Sequence, residues 1–150
     1  MDAFYFVGVK LEYKRSGNFI VIRLDEGDRI IESMEKICHE EGVTSGVIIT
    51  AVGALKECKL IFRRGCQGEF HEHFEIIGNG NISLLDGKPK VHLHISGGND
   101  SKQASGHLVE GVVTVFCEVI IQALQGFRME REKDASLVSQ QVLNPYVLKP

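Results

Sequence analysis

The sequence predicts an α+β domain, a mostly antiparallel, twisted β-sheet with one main α-helix packed on it. Three observations lead there. Most of the chain alternates apolar and polar residues with the period of two that a half-buried strand requires. Only the stretch from Ile30 to Cys38 carries its apolar residues at helical spacing. No internal repeat, low-complexity segment or linker divides residues 1–150, so a single domain with a looser C-terminal tail is expected.

The elements follow in order. Tyr5 to Tyr13 and Asn18 to Leu24 read as a β-hairpin around Arg15-Ser16-Gly17-Asn18. Asp28 is placed to cap a helix carrying Ile30, Ile31, Met34, Ile37 and Cys38, and Gly42 is placed to end it in a left-handed conformation. Val47 to Val52 and Leu60 to Phe62 read as two strands separated by Gly53-Ala54. Phe70 to Leu85 alternates and then turns at Asp86-Gly87-Lys88-Pro89. Val91 to Ile95 is a short strand ended by Gly97-Gly98-Asn99-Asp100. His107 to Leu124 is apolar and β-branched enough for a central strand covered on both faces, and Phe127 to Arg131 reads as an edge strand.

A chain of 150 residues with 43% hydrophobic and 25% charged residues has the balance of a soluble globular protein. Its net charge of −3 argues against a dominant phosphate-binding surface. The first residues do not read as a signal peptide, and no apolar run approaches the roughly 20 residues that span a bilayer. Cys38, Cys58, Cys66 and Cys117 form no CxxC pair, which fits reduced thiols and a cytoplasmic address.

Five of the six histidines lie between residues 71 and 107. His92 and His94 flank Leu93, so on a strand both imidazoles leave the same face while Val91, Leu93 and Ile95 turn to the core. Their Cα atoms would be about 6.5 Å apart, close enough for both rings to reach one ion. His107 follows a glycine-rich, polar segment that can return the chain beside the pair. Three imidazoles without a thiolate suit a catalytic type of zinc site with an open fourth position; a solvated polar face is the alternative.

Glu69, His71, His73 and Glu75 alternate as well. They form a rival site, a contribution to the same site, or a solvated face, with Glu75 placed to approach the buried end of the sheet. Glu118 stands in an apolar run, where a buried carboxylate must be paired, protonated or bound. It would orient a histidine ligand, or form an ion pair with Arg23, Arg128 or Arg131.

Several motifs run in order along the chain. They are Arg23 with Gly27-Asp28, Gly42-Val43-Thr44-Ser45-Gly46, Gly53-Ala54-Leu55 and Phe74-Glu75 leading to Gly80-Asn81-Ile82. Pro89-Lys90-Val91-His92-Leu93-His94, Gly106-His107-Leu108 and Glu118-Val119 complete the series, over about residues 6–131. In this the chain resembles the plants-and-prokaryotes conserved domain, also called the domain of unknown function 296 family. The resemblance implies a homotrimer, and a metal site, usually zinc, at His92, His94 and His107. It also implies a DNA-binding label, although the chain has no Arg-Gly-Arg-Pro hook. The fold is similar to that of acetolactate decarboxylase, a three-histidine zinc enzyme.

Three functions are therefore expected to compete. One is a metal-dependent enzyme or binder of a small oxygen-rich molecule, with Glu75 or Glu118 handling a proton. Another is a DNA-binding or regulatory module using Lys56, Lys59, Arg63 and Arg64. The last is a trimeric scaffold whose metal only fixes a loop.

Overall fold

The computed structural model describes residues 11–132 and 145–150. A hairpin opens it: β1 (Glu12–Ser16) and β2 (Phe19–Asp25) pair antiparallel across the turn at Gly17 and Asn18. The part of the expected first strand before residue 11 lies outside the described residues. Along β2, Ile20, Ile22 and Leu24 are buried and the residues between them exposed, the alternation read from sequence.

Helix α1 (Ile30–Glu40) buries Ile30, Ile31, Met34, Ile37 and Cys38. Its end follows the sequence. Gly42 takes φ +66°, its N–H reaches the carbonyl of His39, and that of Val43 reaches the carbonyl of Cys38. These are the two bonds that close a helix through a left-handed residue. Its start differs from expectation. Arg29 holds the N-cap position without a capping hydrogen bond from its side chain, which pairs with Glu32, and the Asp28 carboxylate instead accepts the N–H of Asp25 at 2.8 Å. Asp28 therefore ties the turn before the helix.

The sheet continues as β3 (Gly46–Arg63), β4 (Cys66–Phe70), β5 (Phe74–Leu85), β6 (Lys88–Gly98) and β7 (Gln103–Ala123). β8 (Arg128–Arg131) and β9 (Tyr146–Lys149) complete it. Every pairing is antiparallel except β5 with β8. β3 runs between β5 and β7, and β6 pairs with both β5 and β7, so these four strands close into a ring. α1 lies against β6 and β7.

Several sequence expectations change here, among them the run from Phe70 to Leu85, which divides between β4 and β5. Gly53-Ala54 does not break the chain into two strands, because β3 runs through it with register shifts against β7. A side chain at Gly53 would meet the carbonyl oxygen of Phe116 at 2.2 Å, so the glycine marks close backbone approach. Beside it Val115 takes φ +64°, a conformation that a β-branched residue rarely adopts. The Glu26 carboxylate accepts from the Val115 N–H at 2.7 Å and from the Thr114 hydroxyl at 3.0 Å, which supports the bulge.

Another change concerns β7. Leu108, Val113, Cys117, Val119 and Ile121 face the core, but its other face is open. Val115 is 62% exposed and Phe116 44%. The same face carries Phe19, Val21, Val52 and Ile77, all exposed. β8 is no edge among the described residues, since β9 pairs with its free side. That last strand was not read from the sequence.

Candidate metal centre

The three histidines converge. β6 carries His92 and His94 outward while Val91, Leu93 and Ile95 are buried beneath them. The turn at Asn99 brings β7 back antiparallel, in the register that sets His107 directly opposite His94. Directly opposed residues share a face, so His107 joins the pair. One potential ligand nitrogen from each of the three lies within 4.8 Å of the others, and the Nε2 atoms of His92 and His94 are 3.1 Å apart.

Two of the rings are held neutral. Desolvation first, then the neighbouring His107, Arg131 and His94, lower the His92 pKa from 6.5 to about 4. Desolvation and then His94, Lys90 and Arg131 lower that of His107 to about 4 as well. Metal ligation needs the uncharged imidazole, so at neutral pH neither of these two rings has to lose a positive charge first. Three imidazole nitrogen donors, with His94 exposed, suit a borderline ion such as zinc.

The low pKa values also fix a pH dependence. Between pH 6.5 and about 4 the unfolded chain takes up protons that His92 and His107 refuse in the fold. The stability of metal-free protein should therefore be full above pH 6.5 and decline steadily as the pH falls through that window. Melting temperatures in the presence of chelator measure this. A flat profile from pH 7 to 5 contradicts it.

Polar groups extend the site along the sheet. Ser96 and Ser105 occupy the next same-face rung, and their hydroxyls hydrogen-bond at 2.7 Å. They line an open groove of about 550 Å³ together with Glu75, Ile77 and Gln103.

Sequence placed two carboxylates near this chemistry, and the structure treats them differently. Glu75 is on the same face as His94, four residues along β5 from its partner Asn79, or roughly 13 Å. It is exposed, contrary to the expectation that it approaches the buried end, and lies 2.9 Å from His73 Nε2. Glu118 is not brought to the histidines. It is eleven residues along β7 from His107, on the order of 30 Å, opposite Arg23 and Val52. It is exposed, because Cys117 and Val119 take the inward positions on either side. The ion pairs of Arg23 are with Glu12 and Asp25, and Arg128 pairs with Glu130. His71 lies 3.6 Å from Glu69 on an exposed face.

Arg131 is the site residue that sequence reasoning misplaced. Only 6% exposed, it reaches Asn81 Oδ1 at 2.8 Å and His92 Nδ1 at 3.3 Å, while its Nε donates to the Ser83 hydroxyl at 2.8 Å. The Tyr146 ring lies over it at 5.3 Å.

The Plants and Prokaryotes Conserved (PCC) domain model matches residues 11–125. The chain belongs to that family. Solved structures agree with the assignment. A Bacteroides thetaiotaomicron protein described as a candidate DNA-binding protein is 26% identical, with a TM-score of 0.78 over 91% of this chain and 96% of its own. A metal-containing protein from Archaeoglobus fulgidus is 28% identical, with a TM-score of 0.75 over 93% and 99%. The expected likeness to acetolactate decarboxylase is weaker. The Bacillus subtilis enzyme is 15% identical with a TM-score of 0.52, over 75% of this PCC chain and 54% of the enzyme, and shows the fold alone. No curated protein matches the chain. Among the described residues no helix is long and apolar enough to cross a membrane.

Proposed function

We propose that this PCC protein holds a metal ion, zinc in our reading, at His92, His94 and His107, and binds or transforms a small oxygen-rich molecule beside it. The convergence of the three imidazoles carries the reading. A bound zinc supplies Lewis acidity to a ligand oxygen. The chain supplies the rest. His92 and His107 stay uncharged, Ser96 and Ser105 offer hydroxyls one rung away, and Glu75 at the far side of the groove is the carboxylate retained for handling a proton. Elemental analysis of the purified protein should return one equivalent of zinc per chain. Metal-free protein that refuses added zinc overturns the assignment.

We further propose that the copies assemble as a homotrimer through the open face of β2, β3 and β7. Exposed apolar surface of this extent marks an interaction site, and Val52 lies in its middle row, opposite Ile77 and Glu118. Light scattering should give three chains for the wild type and one for Val52→Asp. A monomeric wild type refutes the assembly. Cys38, Cys58, Cys66 and Cys117 are free thiols, which fits a reducing, cytoplasmic setting.

The DNA-binding alternative rests on the description of the Bacteroides protein. In this chain Lys56 pairs with Glu26 and Lys59 faces Glu69, so the basic patch read from sequence is partly neutralised. Duplex affinity that does not fall steeply with salt would exclude phosphate contacts as its basis.

A further inference from the structure

The contact between Arg131 and His92 has a fixed direction. A guanidinium has five N–H donors, no acceptor, and does not lose its proton in proteins. At 3.3 Å from His92 Nδ1, the Arg131 nitrogen donates, and Nδ1 presents its lone pair. A neutral imidazole with a free Nδ1 carries its proton on Nε2. That proton points at His94 Nε2, 3.1 Å away, which completes a chain from Arg131 through His92 to His94. Nε2 of His92 is also the nitrogen that faces the cluster and would ligate an ion.

Metal-bound histidines ordinarily show the reverse arrangement. Their outer nitrogen carries the proton and gives it to a carboxylate or a carbonyl, which fixes the tautomer and raises ligand basicity. Here the outer nitrogen meets a donor. The donor is also held firmly in place, by Ser83 through Nε, by Asn81 through Nη2, and by the Tyr146 ring stacked on it. Two distant pairings put it there: β8 runs parallel to β5, setting Arg131 beside Leu85, and β9 sets Tyr146 opposite Arg131.

We propose that Arg131 gates the metal site, holding His92 in the Nε2–H tautomer so that an ion enters only when the guanidinium releases Nδ1. The step balances without a co-reactant. Nε2 gives its proton to water, Nδ1 takes one from water, and the lone pair freed on Nε2 becomes available to the ion. Arg131 is thus a positioning residue that acts through His92 and weakens the site in its resting state. The inference rests on the metal reading above and adds to it a control on occupancy.

Two measurements test it. In metal-free wild-type protein, long-range proton–nitrogen NMR should show His92 with a bare Nδ1 and a protonated Nε2, and zinc should reverse the two. Arg131→Gln, whose side-chain carbonyl can accept the Nδ1 proton, should bind zinc about tenfold more tightly by calorimetry. The NMR arm needs no variant, so an Arg131→Gln chain that fails to fold leaves it decisive. A metal-free wild type with its proton on Nδ1 overturns the gate, as does unchanged or weaker zinc binding by folded Arg131→Gln. Wild-type protein that takes up no zinc overturns the metal reading itself, and the gate with it.

Discussion

Replacing His107 with alanine should leave a folded protein that no longer retains a stoichiometric metal ion. His107 is the ligand that β7 contributes opposite His94, while His92 and His94 sit two residues apart on β6. Without it two nitrogens remain, from one strand, and a zinc site needs at least three protein ligands to hold its ion. Changes to groups that merely orient ligands already cost about 10–100-fold in affinity, so losing the ligand itself should exceed that range. The fold should survive. Leu108, next along, stays in the core, and deleting a half-buried imidazole opens no large cavity. Calorimetric zinc titration and circular dichroism of His107→Ala measure both halves. Undiminished zinc binding by the folded variant would place the ion elsewhere.

The largest loss of stability should come from Gly80→Ala, a change of one methyl group. A Cβ at Gly80 would stand 1.9 Å from the carbonyl oxygen of His92 and 3.0 Å from Cα of Leu93. Both obstacles are backbone, so no rotamer change relieves the contact and β5 and β6 must part. Overpacking a core usually costs 1–3 kcal/mol, and here at least about 3 kcal/mol is expected because strand pairing yields as well. For a chain of this size that is a fall of roughly 10 °C in melting temperature. Zinc binding should weaken together with stability, since Gly80 lies between Asn79 and Asn81, the partners of His94 and His92. A variant with wild-type melting temperature would mean that the two strands do not approach so closely.

The parts of this molecule that were legible in its sequence are those governed by local periodicity. The burial of Val91, Leu93 and Ile95 beneath His92 and His94 follows from a period of two, and Gly42 ends the helix because only a left-handed residue lets the chain turn there. The third histidine was reachable because a short polar loop limits where β7 can return. What escaped depends on contacts between distant segments. Gly53 looks like a strand breaker until Phe116 is seen pressed against it. Glu118 looked buried because an apolar run does not reveal which face another chain or solvent will cover. Arg131 was considered as an ion-pair partner for Glu118, yet a parallel pairing of β8 with β5 sets it against His92. No local pattern announces such a pairing.

The turn between β6 and β7 has one more consequence. Asn99 accepts hydrogen bonds from the N–H and hydroxyl of Ser101 and from the N–H of Lys102, and its own N–H bonds back to the carbonyl of Lys102. This loop counts residues. Because faces alternate along a strand, adding or deleting one residue in it would exchange every inward and outward position of β7. The same slip would turn His107 inward and Leu108 outward. Parity thus links the imidazole cluster to the hydrophobic interior: a mutation of loop length by one codon cannot cost the protein its third ligand and spare its core. In this turn a change of residue type leaves the register of β7 intact, whereas a change of length by one does not.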